Sequence, residues 1–332
     1  MEKSLSLPDD IGTIIVDDSF YTPETCIGAG SFAEVFRLSS PTQPRKCNAV
    51  KRAAGSYRLL LQKEWRILKT LDHPNIVKVS DRFWTSPTRS FMAMEYMAGG
   101  DLFSALVDNR APPLAIVHIS KCVLSALDYI HSQSLFHKDL KPENVLLGER
   151  DITRVDFSTS VKLCDFNLSA KHGSAGADKT AGSLNYAAPE IFADTISPRA
   201  AADMYSFSVL FFALCFSMLP YGEPAFEVPE QVESAEELSA PLIIMERIAR
   251  HVKTAGDSRK PPFDNRKYRS IYRHTSGMNP SDRDSAARAL KRSLYSRKQL
   301  TKLAQSAPTP APFQRTEQLR FSKGISESSL SF

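Results

Sequence analysis

Glycine is scarce, with 14 in 332 residues, which excludes collagen-like and glycine-linker architectures and makes each glycine worth locating. Cysteine is scarcer still. Cys26, Cys47, Cys122, Cys164 and Cys215 are scattered, odd in number and form no C-x-x-C pair. That pattern excludes a disulfide scaffold or thiolate zinc site and fits reduced thiols in a cytoplasmic or nuclear compartment. No apolar run reaches the ~20 residues a membrane span needs. The most apolar stretch, residues 204–219, is bounded by Asp203 and Pro220 and reads as a buried core helix. Met1-Glu2-Lys3 opens neither an apolar signal segment nor a myristoylation site with glycine at position 2, so no leader or lipid anchor is expected. No internal repeat is found.

What is present is a composition of 42% hydrophobic and 24% charged residues, that of an ordinary globular protein. A chain of this length buries roughly three quarters of its unfolded surface without staples and corresponds to about two domains or one bilobal unit. Lys+Arg number 42 against 37 Asp+Glu, a net +5, too little to argue for nucleic acid. The sum hides a polarity: residues 247–302 hold 16 Lys+Arg and 4 Asp+Glu, a local +12, which leaves −7 elsewhere. Acidity gathers near the start and in an apparent insertion with Glu223, Glu227, Glu230, Glu233, Glu236 and Glu237. The basic segment reads as a solvated helical face or as a docking site for an acidic partner.

Residues 1–19 are polar and acidic and read as a flexible extension. From residue 20 to Met97 the pattern is of short strands, around Gly28 and Gly30, over 47–52 and over 90–96. They are broken by one amphipathic helix carrying Leu59, Leu60, Trp65, Ile67, Leu68 and Leu71 at three- and four-residue spacings. Beyond Gly99-Gly100 the pattern turns helical, with Ile116, Val117, Ile119, Val123, Leu124, Leu127 and Ile130 over 114–131. Residues 303–332, with Pro308, Pro310, Pro312 and a serine cluster, read as a disordered tail.

Three places carry chemistry. Ile27-Gly28-Ala29-Gly30-Ser31-Phe32-Ala33-Glu34-Val35 is a glycine-rich turn between strands, where backbone N–H groups can approach phosphate oxygens unobstructed; alone it is a weak signal. Sixteen residues after Val35 comes Lys51, preceded by Ala49-Val50, and thirteen further on Glu64 lies in the amphipathic helix. A strand lysine facing a helix glutamate can pair with it and be held for a phosphate. Next, His137-Lys138-Asp139-Leu140-Lys141-Pro142-Glu143-Asn144 sets a carboxylate, an ammonium and a carboxamide on one loop. Such a set can orient a hydroxyl, neutralise a phosphate and coordinate a metal. Finally, Val161-Lys162-Leu163-Cys164-Asp165-Phe166-Asn167 ends a strand with a carboxylate suited to Mg²⁺.

In this order, from about Glu24 to Arg283, the motifs resemble those of the eukaryotic-type protein kinases, serine/threonine branch. The resemblance implies an α+β, bilobal protein-kinase fold. Its N-lobe, residues 20–97, is a small antiparallel β-sheet with one αC helix; its C-lobe, residues 98–302, is larger and helical. It implies ATP and Mg²⁺ as cofactors, with Mn²⁺ a substitute, and a protein with a Ser/Thr acceptor as partner. Ile27, Gly28, Ala29, Gly30 and Ser31 then correspond to the phosphate loop, Val35 and Ala49 to the roof over adenine and Leu146 to its floor. Lys51 corresponds to the α/β-phosphate lysine, Glu64 to its helix partner, Met94 to the gatekeeper, and Glu95, Tyr96 and Met97 to the adenine-edge hinge. Asp101 corresponds to the acid near the ribose, and in some relatives it and Glu143 meet arginines of the substrate. Asp139 corresponds to the base, with Lys141 beside it; Asn144 and Asp165 correspond to the metal ligands. Gly182 to Glu190 correspond to the close of the activation segment, Asp203-Met204-Tyr205-Ser206-Phe207 to the buried helix that anchors the catalytic loop, and Arg283 to the partner of Glu190.

Departures are Ala33 for the third loop glycine, Lys138 for the arginine before the catalytic aspartate, and Asn167 for the glycine after Asp165-Phe166. Lysine grips a phosphorylated segment only as a point charge, so weak switching at a phosphosite such as Thr180 is expected. Asparagine is expected to tolerate a left-handed turn at 167. The resemblance implies an active serine/threonine kinase; the alternatives are a pseudokinase scaffold that binds nucleotide or partners with little catalysis, and a kinase-fold enzyme acting on a small molecule.

Overall fold

β-Branched and alternating segments at the start of the chain build one antiparallel sheet, and apolar helices build the rest. The computed structural model describes residues 14–16, 19–30, 32–39, 48–173, 183–192, 199–220, 266–277 and 279–293. Ser31, Cys47, Thr180, Gly182, the acidic stretch after Pro220, residues 247–265 and 294–302 of the basic segment, and the tail at 303–332 lie outside them.

The sheet comprises β1 (Ile14–Val16), β2 (Ser19–Ala29), β3 (Ala33–Ser39), β4 (Asn48–Ala54), β5 (Val79–Thr85) and β6 (Arg89–Glu95), in the order β1-β2-β3-β4-β6-β5. β1 falls within the segment 1–19 that reads from sequence as an extension. Ile14, Ile15 and Val16 are three β-branched residues in a row, and they pair with Tyr21, Phe20 and Ser19. Register sorts the two faces of the sheet: Val35 lies opposite Lys51, Lys51 opposite Met92, and Ala49 opposite Met94. These positions share a face because side chains alternate along a strand. The other face gathers Phe36, Leu38, Val50, Phe91 and Ala93 into a small core of its own.

Helix α1 (Arg58–Lys69) buries Leu61, Glu64 and Leu68, one stripe of a helix with a polar opposite side. Its C-terminal loop joins the lobes. Ile76 bridges Leu163, the Asn75 amide donates to the Val161 carbonyl at 2.9 Å, and the Tyr129 hydroxyl accepts from the Asp72 N–H at 3.0 Å. His73 stacks on the Tyr129 ring at 5.0 Å.

The second lobe contains α2 (Leu102–Asp108), α3 (Pro113–Ser132), the short α4 (Pro189–Phe192), α5 (Arg199–Phe216), α6 (Arg266–Thr275) and α7 (Ala286–Ser293). α3 begins with Pro113 at a position that needs no N–H donor and buries residues on every side, from Ala115 to Ile130. Its length and composition alone match a membrane-crossing helix, yet it is the central core helix of this lobe. The apolar stretch of residues 204–219 falls mostly in α5, where Met204, Tyr205, Phe207, Leu210, Phe211 and Leu214 are buried in the same core.

Short strands close the lobe interface: β7 (Gly100–Asp101), β8 (Leu135–Phe136), β9 (Val145–Leu147), β10 (Val161–Leu163) and β11 (Ala170–Lys171). β9 pairs with both β10 and β7, and β11 with β8. Two or three residues carry no periodic signal, which is why β7, β8 and β11 do not stand out in the sequence.

Candidate active site

β4 and α1 set the first group of side chains. Lys51 Nζ lies 3.0 and 2.8 Å from the two Glu64 carboxylate oxygens and 2.9 Å from Asp165 Oδ1. Burial alone would drive the Lys51 ammonium to lose its proton, but Glu64 and Asp165 overcome it and hold the pKa well above the ordinary lysine value. Glu64 also accepts from the Phe166 N–H, so α1, β4 and the segment after β10 are locked through one carboxylate. Asp165 has φ of 61°, a left-handed conformation that costs a non-glycine residue energy and tends to cluster at functional sites.

The β9–β10 pairing places the ends of two loops together, and the Cys164 N–H donates to the Asn144 carbonyl at 3.0 Å. Asn144, Asp139, Lys141 and Ser183 form the second group. Asn144 Nδ2 donates to the Asp139 carbonyl at 2.7 Å and to Oδ2 at 3.1 Å. Lys141 Nζ sits 3.2 Å from the same Oδ2. Asp139 Oδ1 accepts from the Ser183 N–H at 2.8 Å and its hydroxyl at 3.0 Å, and Lys141 donates to that hydroxyl at 2.7 Å. A carboxylate has about four acceptor positions, and all are engaged here. Burial pushes the Asp139 carboxyl up, but Lys141, His137 and the Ser183 N–H together hold it below the ordinary range. It is a charged acceptor at neutral pH.

Asn144 Nδ2 donates to Asp139, which leaves the side-chain Oδ1 as its metal-type donor. Hard oxygen donors of this kind suit Mg²⁺, which keeps waters and phosphate oxygens in its shell. Among the described residues no group of three or more His, Cys, Asp or Glu forms a metal cage.

At the turn between β2 and β3, Gly30 N–H donates to the Ala33 carbonyl at 2.9 Å, and Ile27, Gly28, Ala29 and Gly30 are exposed. A Cβ built on Gly28 comes no closer than 3.9 Å to Val35, and one on Gly30 no closer than 3.8 Å to Ala33. Neither glycine has positive φ. The fold itself requires neither. Gly99 is the opposite case: a Cβ there would lie 2.6 Å from the backbone of Leu147 and Glu149, so only glycine lets the chain pass from β6 to β7.

Val35, Met94 and Leu146 are half-buried, and Ala49 and Met97 are buried. The Met97 carbonyl accepts from Gly100 N–H at 3.1 Å. The Glu95 carboxylate is turned to Lys162 Nζ at 2.9 Å and to the Lys78 N–H at 2.6 Å, and its own N–H donates to the Lys78 carbonyl at 3.0 Å. Asp101 caps α2: its two oxygens accept from the Ser104 N–H and hydroxyl, each at 2.8 Å. Glu143 is exposed at the mouth of the loop, its carboxyl raised by partial desolvation.

The supports of these loops are long-range. Buried Asp203 on α5 accepts from the N–H groups of His137 at 2.9 Å and Lys138 at 2.8 Å, and its Oδ2 is 2.8 Å from His131 Nε2. Lys138 has φ of 72°, a strained geometry that these two bonds hold. His137 Nε2 donates to the Cys164 carbonyl at 2.9 Å and the ring packs edge-on against Phe166 at 4.8 Å; it is a packing and orienting residue. Arg283 forks onto both Glu190 oxygens at 2.6 and 2.8 Å and lies over the Tyr205 ring.

Asn167 corrects an expectation: its φ is not positive, so the turn asks for no left-handed residue there. Left-handed geometry falls two residues earlier, on Asp165. Asn167 is buried, its carbonyl accepting from Lys63 Nζ at 3.4 Å. Cys164 borders the group, but burial pushes its thiol far up, so it is a packing residue. Sequence reasoning missed the link from Ser183 to Asp139 and Lys141, for which a lone serine 44 residues away gives no signal.

The protein kinase domain family matches residues 21–295. CBL-interacting protein kinase 31 of Oryza sativa subsp. japonica is 34% identical over 208 residues, covering 59% of this chain and 44% of the relative. CBL-interacting serine/threonine-protein kinase 3 of Arabidopsis thaliana is 32% identical over 207 residues, covering 59% and 45%. The chain thus aligns with less than half the length of these relatives. Among solved structures, that of Rad53 1-466 in complex with AMP-PNP aligns with a TM-score of 0.59 and 26% identity, covering 82% of this chain and 64% of that one. A six-stranded lobe followed by a helical one, matched over this span, places the chain in the eukaryotic-type protein kinase superfamily, with its bilobal kinase fold.

Proposed function

We propose that this chain is an ATP-dependent serine/threonine protein kinase, moving the γ-phosphoryl group of ATP to a protein hydroxyl. The observation that carries the reading is Lys51, a buried ammonium held at once by Glu64 and Asp165. A cation fixed between a strand, a helix and the neighbour of the catalytic loop is preorganised for phosphate charge, and preorganised charge is a large term in phosphoryl transfer. The nucleotide is proposed from the family and from the AMP-PNP in the Rad53 structure. Choice of Ser/Thr acceptors rests on the names of the plant relatives and on Lys141 bridged to Asp139 by Ser183.

In this reading Val35, Ala49 and Leu146 enclose the adenine, Met94 limits its depth, and the backbone of Glu95 and Met97 meets its edge. Gly28 and Gly30 leave room for phosphates against backbone N–H groups. Asp165 and Asn144 would hold Mg²⁺, which supplies charge neutralisation on the phosphates. Asp139 accepts the proton of the attacking hydroxyl. Because its acceptor positions are filled, the hydroxyl takes the place of Ser183 or of Lys141, and Lys141 is then near enough to meet the transferring group. Transfer of radiolabel from γ-labelled ATP to a generic protein substrate, with phosphoserine or phosphothreonine as product, tests the reading. Asp165→Ala is expected to abolish transfer; label carried equally by that variant, or only on tyrosine, would overturn it.

A further inference from the structure

Two aromatic side chains outside both cores touch across the mouth of the site. Phe32, at the tip of the glycine-rich turn, and Tyr57, just before α1, meet edge to face with ring centroids 5.4 Å apart and planes at 76°. Both are about two-fifths exposed, and neither belongs to either buried cluster. Tyr57 stands on a fixed post. It ends the tight turn Gly55–Tyr57, and that turn is tied to the β5–β6 connection by the Gly55 N–H on the Thr88 carbonyl at 2.8 Å. A Cβ on Gly55 would press to 3.3 Å from that carbonyl, so the post has little freedom to shift. Phe32 stands at the start of β3 in an open turn, closed by the Gly30 N–H on the Ala33 carbonyl, where a Cβ on Gly30 would meet nothing closer than 3.8 Å.

We propose that Tyr57 is a positioning residue for the phosphate loop, holding its tip through the ring of Phe32. The proposal rests on the ATP reading above. α1 carries Glu64, which holds Lys51, and the residue before α1 holds the loop, so one helix aligns the ammonium and the N–H groups that would meet the same phosphates. Edge-to-face aromatic pairs contribute modestly beyond area burial, which corresponds to about a two- to tenfold effect on a binding constant. The effect acts on phosphates and not on adenine, because the tip lies beyond the roof residues Val35 and Ala49.

The test compares dissociation constants for Mg-ATP and adenosine, by calorimetry, in the full chain and in Tyr57→Ala, Tyr57→Phe, Phe32→Ala and the double alanine variant. Tyr57→Ala and Phe32→Ala are each expected to weaken Mg-ATP about two- to tenfold, leaving adenosine affinity and melting temperature unchanged. The double variant is expected to be no weaker than either single one, and Tyr57→Phe to match the wild type. Equal loss for ATP and adenosine, additive losses in the double variant, or unchanged ATP affinity would overturn the role of Tyr57 while the kinase reading stood. Failure of the wild-type chain to bind either ligand would overturn the kinase reading, and the latch with it.

Discussion

Lys51 shows how much one side chain can hold. Its ammonium neutralises a glutamate that is 2% exposed, and removing one partner of such a buried pair costs about 3–5 kcal/mol because the other charge is stranded. Lys51→Met is therefore expected to lose phosphotransfer and also to lower the melting temperature at pH 7. The pH dependence has a definite sign. Burial raises the Glu64 pKa even beside Lys51, and loss of the lysine raises it further, so the variant's deficit is smallest at low pH, where Glu64 is protonated in both proteins, and grows as pH rises through the Glu64 values of the two folded proteins. Melting curves of both proteins between pH 4 and 7 check this; a deficit that is constant with pH would contradict it. Gly28 makes the converse case. An added methyl meets nothing closer than 3.9 Å, so Gly28→Ala is expected to leave the melting temperature within a degree or two of wild type and to weaken Mg-ATP severalfold in the same calorimetry. At this scale the site was largely legible, because Lys51, Glu64, Asp139, Asn144 and Asp165 stand at chemically meaningful spacings. The side chains' second allegiances were not. Asp101 capping α2 and Glu95 bound to Lys162 depend on rotamers and neighbours that no linear pattern shows.

Among elements, α5 positions the catalytic loop through one residue. Burial would raise the Asp203 carboxyl, but His131, His137 and the N–H of Lys138 hold it below the ordinary range. A depressed folded pKa stabilises the protein above the unfolded value near 4 and is lost as pH falls through the folded one. Asp203→Asn is thus expected to flatten the acid limb of the stability profile. Its amide nitrogen cannot accept from either loop N–H, so kcat falls by at least about tenfold through misplacement of Asp139. Unchanged kcat would show that the loop keeps its strained turn at Lys138 without this anchor. The ion pair of Arg283 and Glu190 ties α7's approach to the end of the activation segment in the same way. Its guanidinium is fully buried, and Arg283→Met should cost several kcal/mol in denaturant unfolding. Long helices and strands were legible from periodicity, as α1 and α3 show. β1, β5, β7, β8 and β11 were not, because their pairing partners decide them: Ile14–Val16 is only a strand because β2 lies beside it.

Among the described residues the lobes are joined by polar contacts such as Asn75 to β10, Asp72 to Tyr129 and Lys51 to Asp165, and by an apolar cluster that runs from Leu61, Leu68 and Met92 to Leu163 and Phe166. A nucleotide lying between them would add contacts to both. Saturating Mg-ATP at 100 times its dissociation constant stabilises the folded form by about 2.7 kcal/mol, visible as a rise in melting temperature that Lys51→Met loses. The bilobal division was legible from the shift at Gly99-Gly100, where strands give way to helices. The manner of joining was not, since each joint links residues at least 50 apart in sequence. The central claim is that these two lobes hold a working base at Asp139. It is tested most directly by the single-turnover rate of label transfer from γ-labelled ATP to protein serine or threonine in Mg²⁺, in the wild type and in Asp139→Asn. The account predicts transfer by the wild type and a loss of at least about 100-fold in the variant, with ATP affinity preserved. Wild-type protein that binds ATP yet transfers nothing in Mg²⁺ or Mn²⁺, or an Asp139→Asn variant as fast as wild type, would contradict it.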